Sequence, residues 1–326
     1  MPYFGSFPNY FDLWLKTAEF QKGLVDFLLF TDCQVEQEII PSNVRVIDMD
    51  YNEVEKRVNS LLPFKVKMYS PYKITDYKPL YGKIFSDYLK EYDFWGFCDV
   101  DLIWGNLAHF ITHDVLKNYD RIYSRGHLEL FRNLPKITNA VIDDYSKYHT
   151  LENTMGVSIK DIFSHSYAAH FDEGPHLQAI MSQPRINARN YIHYDMADIK
   201  STKKQFICIN PIDNSEEAFA YFKWENGVLS GYRLDGTFKE FAYAHLQKIK
   251  MSEQTVKDEG AFLIIPNKFI KVPSVIDSTS TKVWSEEDKD YEKSKLNYFK
   301  WLRFKHIFNG GGILRLKEKI HQYRAK

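Results

Sequence analysis

Two carboxylates, Asp99 and Asp101, stand directly after the apolar run Asp93-Phe94-Trp95-Gly96-Phe97-Cys98. Such a run reads as a buried strand, expected to sit centrally in a sheet because neither of its faces is polar. Both carboxylates then emerge at the strand's carboxyl end, the edge at which open α/β sheets bind ligands. A turn immediately after Cys98 lets the two side chains converge. Two hard oxygen ligands with open positions suit Mg²⁺ or Mn²⁺. Such an ion also holds diphosphate oxygens and neutralises the charge that grows on a departing nucleoside diphosphate. Asp-x-Asp alone arises often by chance as a solvated loop, and the strand before it is what gives this one meaning.

A second acidic group lies in Phe171-Asp172-Glu173-Gly174. A carboxylate there can take a proton from an acceptor hydroxyl as general base. It can equally cap the helical run that follows through Gln178 and Ile180. His165, His170 and His176 surround the pair, but their spacing fits no zinc pattern and no cysteine is near. Arg125-Gly126-His127 reads as a glycine bend whose polar neighbours either meet a hydroxyl or face water. Gly310-Gly311-Gly312 is a hinge, since no Lys-Ser/Thr follows it as in a phosphate loop.

The elements that must position these groups alternate in the first half of the chain. Strands are expected over 24–31 and 44–48, and helices over 9–19, 51–61 and 78–92, where apolar residues recur at helical spacing from Leu80 to Tyr92. That alternation predicts βαβ units around a mainly parallel sheet. Residues 120–133 suggest a strand and a bend at Gly126. Residues 219–244 read as strands joined by turns at Asn226-Gly227 and Asp235-Gly236.

Lys and Arg balance Asp and Glu at 43 each, so no global charge favours nucleic acid as a partner. Cys33, Cys98 and Cys208 are isolated and odd in number, which speaks for reduced thiols and a cytoplasmic setting rather than a disulfide framework. The opening MPYFGSFPNYFD has no signal-peptide pattern, and no apolar stretch is long enough to span a membrane. Aromatics make up 16% of residues, enough for a Tyr/Phe-packed core with some rings left to line a groove. From Lys295 to Lys326 nine basic residues face Glu318 alone, interleaved with Trp301, Phe304 and Phe308. This is a basic amphipathic tail, suited either to docking on the rest of the chain or to peripheral contact with an anionic membrane.

The segment from Tyr69 to Gly82, followed by Phe94-Trp95-Gly96-Phe97-Cys98-Asp99-Val100-Asp101, resembles bacterial glycosyltransferases of capsule and lipopolysaccharide (surface polysaccharide) gene clusters. Pro2-Tyr3-Phe4-Gly5, Phe30-Thr31-Asp32 and Tyr243-Ala244-His245-Leu246-Gln247-Lys248 match further blocks in the same order, covering about residues 1–250. The resemblance implies an α/β GT-A fold (Rossmann-like, of the nucleotide-diphospho-sugar transferases) with a central, mainly parallel sheet and a C-terminal helical tail. It implies a catalytic domain over 1–250, its donor half at about 1–110 and its acceptor half at about 111–250. An irregular connection over 251–290 and the tail over 291–326 would follow. By the same resemblance Pro2, Tyr3, Phe4 and Asp32 lie beside the nucleoside, while Asp76, Lys78, Val100 and Lys248 meet the donor sugar or its phosphates. His245 joins Asp99 and Asp101 as a third metal ligand, a set that favours Mn²⁺ over Mg²⁺, and Asp172 or Glu173 serves the acceptor. The expected function is transfer of a sugar from a nucleotide-sugar donor, a UDP-sugar first, to a glycan or lipid-linked acceptor at the inner membrane face. The competing readings are an Asp-x-Asp phosphohydrolase or phosphotransferase and a silent sugar-nucleotide-binding module.

Overall fold

The structure is a computed structural model that describes residues 1–192, 195–201, 206–210, 215–247, 251–252, 256–286, 297, 300 and 301. Helix α1 (Phe11–Glu19) precedes strand β1 (Phe27–Thr31), which pairs in parallel with β2 (Val44–Asp48). Helix α2 (Tyr51–Leu61) starts where Asp50 accepts the Glu53 amide at 2.7 Å, and it buries Val54 and Val58 one turn apart. A 3₁₀ run over Pro71–Leu80 and the short helix α3 (Tyr81–Ile84) lead to β3 (Phe94–Cys98). The continuous helix expected over 78–92 is therefore broken. Its apolar residues Leu80, Tyr81, Ile84 and Phe85 are buried nonetheless. Gly82 admits the Trp95 ring where a Cβ would come within 2.4 Å of it.

After Asp99-Val100-Asp101 come β4 (Leu102–Trp104), helix α4 (His113–Asn118), β5 (Arg121–Ile122) and β6 (Leu128–Arg132). Short helices fill 135–181, the last being Pro175–Met181. The remaining strands are β7 (Asn190–Tyr191), β8 (Met196–Ser201), β9 (Phe206–Ile209), β10 (Glu216–Phe219), β11 (Tyr221–Glu225), β12 (Val228–Tyr232), β13 (Phe238–Phe241), β14 (Tyr243–His245), β15 (Ala261–Ile265) and β16 (Lys268–Lys271).

The expected single, mainly parallel sheet of a Rossmann-like GT-A fold is not what these strands build. Among the described residues they form four small sheets, ordered β1-β2, β3-β6-β5-β7, β10-β9-β8-β14-β4 and β13-β12-β11-β15-β16. Parallel pairing is confined to β1 with β2, β5 with β7 and β8 with β14; the other ladders run antiparallel. The reason lies in the connections. A parallel crossover needs a dozen or more residues, whereas β11 and β12 are joined by Asn226-Gly227 alone, with both residues at positive φ. β3 stands at an end of its sheet rather than in the middle. The stretch 251–290, expected to be irregular, contributes β15, β16 and the helix Ser278–Glu286. The basic tail falls outside the described residues except for isolated positions. Among the described residues no helix is long and apolar enough to cross a membrane.

One face of α1 fastens the strand that follows the acidic motif. The Trp14 indole donates to the Asp99 carbonyl at 3.2 Å, and Thr17 Oγ1 accepts the Trp104 amide at 3.2 Å. Gln21 donates to the Gly105 carbonyl at 2.7 Å and accepts the Leu107 amide at 3.1 Å. Trp14 and Thr17 stand three apart on one face of the helix, and Gln21 follows in the turn just beyond its end.

An ion cluster around the buried Asp120 fixes the β5–β6 corner. Asp120 receives Arg132 at 2.9 Å and both the amide and the guanidinium of Arg189. Burial pulls the Asp120 carboxyl up, but the Arg189 and Arg132 bonds prevail and hold it below the usual carboxylate range. A carboxyl lowered on folding stabilises the fold above its ordinary value near pH 4, and that contribution is lost as pH falls through the lowered value. Asp120→Asn is therefore expected to be less stable at pH 7 and to lose less further stability between pH 5 and 3. Urea melts across that range check it, and equal acid slopes for the two proteins would remove Asp120 from the account.

Candidate functional site

Two ladders place the acidic motif. The β3–β6 ladder ends on Cys98 opposite Leu128 and continues as the Asp99 amide donates to the His127 carbonyl at 2.9 Å. The second ladder sets His245 of β14 opposite Leu102 of β4 on one side and Asp198 of β8 on the other. It continues as the Leu246 amide donates to the Asp101 carbonyl at 3.0 Å. Asp99 thus belongs to one sheet and Asp101 to the next, and the chain changes sheets across Val100, whose side chain is buried. Asp99, Asp101 and His245 each bring a ligand atom within 4.8 Å of the others.

The His245 ring is oriented from behind. Its Nδ1 lies 3.0 Å from Asp198 Oδ1, which also accepts Gln247 Nε2 at 2.6 Å, and its Nε2 lies 3.5 Å from Asp101 Oδ2. A carboxylate holding Nδ1 while Nε2 faces the ligand side is the arrangement that orients metal-binding histidines. Burial disfavours charge on His245, yet the bonds to Asp101 and Asp198 outweigh it and hold the imidazolium up to about 10. Asp198 is correspondingly pushed down, its burial overcome first by the His245 bond. His127 packs its ring 3.9 Å from that of His245, and burial followed by the charge of His245 lowers it to about 4. With two carboxylate oxygens and an imidazole nitrogen at hand, the donor set suits Mn²⁺, which would stand where the Nε2 proton now does.

Lys78 joins this group to the second acidic pair. Its ammonium donates to Asp99 Oδ1 at 2.8 Å and to the Gly126 carbonyl at 2.7 Å, and it lies 2.9 Å from Asp172 Oδ2. Burial opposes its charge, but Asp172 and then Asp99 prevail and hold it well above the ordinary lysine range. With two hydrogen bonds to protein oxygens and the Asp172 carboxylate beside it, Lys78 stands as a strut between Asp99 and Asp172. Gly126 is required at this corner. Its φ is +78°, and a Cβ on it would lie 2.3 Å from Glu173 Cγ.

Asp172 is buried while Glu173 is exposed, and His170 brings a ligand atom within 4.8 Å of both. Burial raises both carboxyls, and the charge of Asp172 raises Glu173 further. Neither caps the helix that follows, because Gly174 holds the cap position without a side-chain bond. His165 and His176 do not join the cluster.

Other expected site residues lie elsewhere. Asp76 is fully buried, pairs with Lys73 at 2.7 Å and accepts the amides of Ala169 at 2.9 Å and Phe171 at 3.2 Å. It shapes the loop that carries Asp172 and is closed to a donor sugar. Phe4 is a core residue, its ring edge-on to Tyr51, and Val100 is likewise buried. Pro2 bridges Phe30 in parallel, and Tyr3 stacks on Phe7 at 5.0 Å. The Tyr3 hydroxyl donates to the Ser6 carbonyl at 2.7 Å and is raised by burial and then by the charge of Asp101. Asp32 is exposed just beyond β1. Lys248 lies outside the described residues. Sequence reasoning missed Asp198, Gln247, Trp14 and Thr17, and it left His127 open. Asp198 is one polar residue in an alternating strand, so only strand register reveals it.

The chain belongs to a family of unknown function (DUF6625), whose model matches residues 1–273. No curated protein and no solved structure matches it.

Removing the Lys78 charge strands two carboxylates in a poorly solvated corner. Lys78→Met is expected to cost about 3 kcal/mol of stability. The double variant Lys78→Met/Asp172→Asn should recover part of that loss. Chemical denaturation of the four members of this cycle measures the coupling, and independent effects would show that the strut carries no load.

Proposed function

We propose that this family member transfers a sugar from a nucleoside-diphosphate donor, a UDP-sugar first, to a hydroxyl of a glycan or lipid-linked acceptor. The observation that carries the reading is the meeting of Asp99, Asp101 and His245 within 4.8 Å, with Asp198 orienting the imidazole from behind. Those three side chains would hold a divalent ion, Mn²⁺ before Mg²⁺, whose chemistry is to bind the diphosphate and offset the charge released on it. The residues of this chain do the rest. Lys78 holds the Asp99 carboxylate in place through its 2.8 Å bond, and His245 is fixed in one orientation by Asp198. Tyr3 offers a ring beside the motif on which a nucleobase can stack.

Asp172 and Glu173 supply the proton acceptor. Lys78 engages Asp172, while Glu173 is the more exposed of the two and is pushed up by burial and by Asp172. A carboxylate whose pKa is raised toward neutrality is a better base for a sugar hydroxyl. The site would work at the cytoplasmic membrane face, with the basic segment 295–326 suited to anionic lipid.

Calorimetry with UDP tests the donor half of the proposal. Affinity is expected to rise at least about tenfold when Mn²⁺ replaces EDTA, and Asp101→Ala should abolish that gain. Equal UDP affinity with and without metal would overturn the reading. For the acceptor half, Glu173→Gln is expected to lower turnover by about 10²–10⁴-fold while leaving donor affinity nearly unchanged. Normal turnover in that variant would take Glu173 out of the chemistry.

A further inference from the structure

A cavity of about 580 Å³ lies between β1 and β3, and its walls include none of Asp99, Asp101, His245, Lys78, Asp172 and Glu173. Its walls include the consecutive residues 24–28 and the consecutive residues 94–98. Side chains alternate between faces along a strand, so the lining of one cavity by all five residues of β3 means that its backbone edge is turned toward it. Sheet order agrees. Among the described residues β1 is paired on its far side by β2, and β3 only by β6, which leaves one edge of each directed at the space between them. Tyr81 and Phe85, which belong to one apolar cluster, and Ile111 and Leu116, which pack with another, complete the walls. An end strand as apolar on both faces as Phe94–Cys98 is otherwise unexplained, because edges are usually charged or blunted.

The upper end of the space already holds the beginning of a strand. The Met1 nitrogen donates to the Leu28 carbonyl at 2.5 Å, and the Phe30 amide donates to the Met1 carbonyl at 3.1 Å. The Tyr3 amide donates to the Phe30 carbonyl at 2.9 Å, which completes a parallel rung with Pro2 opposite Phe30. On its other side the Met1 sulfur lies 3.2 Å from Cys98 Sγ, so this one residue spans from β1 to β3. Followed backward from Met1, the same direction of chain enters the cavity beside residues 24–28.

We propose that this cavity is a strand slot, which takes an extended segment of about five apolar residues running parallel to β1 and leading directly into Met1. The occupant must be extended, because two backbone edges offer donors and acceptors at strand spacing and a compact ligand would leave them unmet. It must be apolar at odd and even positions alike, because both faces of the slot are covered by side chains. It requires no residue of the acidic site, so the slot and the proposed transfer stand or fall separately.

The test compares three forms of the full chain, each with the same polar leader and differing only in the five residues next to Met1. These are Val-Ile-Val-Val-Ile, Gly-Ser-Gly-Ser-Gly, and the apolar sequence with Pro at its centre. The apolar form is expected to melt about 5 °C above the Gly/Ser form and to slow amide exchange at Gly96 by about tenfold, with the proline form losing most of both gains. Exchange is read on the monomeric fraction, so self-association cannot imitate protection. Equal melting and equal Gly96 exchange in the three forms would overturn the slot. A gain produced by the free Val-Ile-Val-Val-Ile peptide, with none from the joined form, would overturn the assigned source.

Discussion

The molecule depends on a single change of sheet at Val100. Asp99 closes the ladder of one sheet against His127, Asp101 opens the ladder of the next against Leu246, and the Val100 side chain is buried between them. The chain bends at Val100 and Asp101, and across that bend the Asp99 and Asp101 carboxylates come within 4.8 Å of each other and of His245. The crossing therefore delivers two carboxylates to one side while anchoring each to a different rigid support. Helix α1 makes the crossing definite by satisfying the backbone on either side of it, through Trp14 at Asp99 and Thr17 at Trp104. A loop with the same residues would leave their spacing to chance.

Charge balance follows from that geometry. Carboxylates brought together with little solvent repel, and each must gain a cation or a proton. Lys78 serves Asp99 and Asp172 at once, and His245 serves Asp101 and Asp198 at once. Each cation bridges the motif to a residue on another element, so the arrangement holds the site together as well as neutralising it. Arg121 and Glu129 repeat the device nearby at 2.8 Å, with the Gly126 amide also bonded to Glu129 at 3.2 Å. Burial lifts the Glu129 carboxyl up to about 7 despite that guanidinium, a measure of how little solvent reaches this corner.

Local signals in the sequence were legible and pairings were not. A helix over 51–61 was expected and α2 spans it, and Asn226-Gly227 announced its hairpin, because periodicity and turn chemistry act over a few residues. Asp99 and Asp101 were visible as a motif for the same reason. The four-sheet division was hidden, since an apolar run such as Phe94–Cys98 reports burial on both faces without saying which strand lies beside it. Lys78 and Asp76 were noticed but given contacts with a donor, because spacing cannot tell a cation that faces a cleft from one that faces inward carboxylates. Asp198 left no signal, as its meeting with His245 exists only in the β8–β14 register.

The fastening of the motif by α1 also bears on how the chain reaches its final form. The Trp14–Asp99 bond joins residues 85 apart in sequence, and the bonds from Lys73 to Ile162 and Tyr167 span 89 and 94. Long loops must close before such contacts repay their entropy, which slows folding and places them late. The hairpins of β11, β12 and β13 close over a few residues and need no such wait. The acidic corner is thus assembled after its scaffold, by a short N-terminal helix that arrives on strands made much later in the chain. During synthesis, α1 can pack at once on Phe27 of β1, while its bonds to Asp99 and Trp104 must wait until that stretch has left the ribosome.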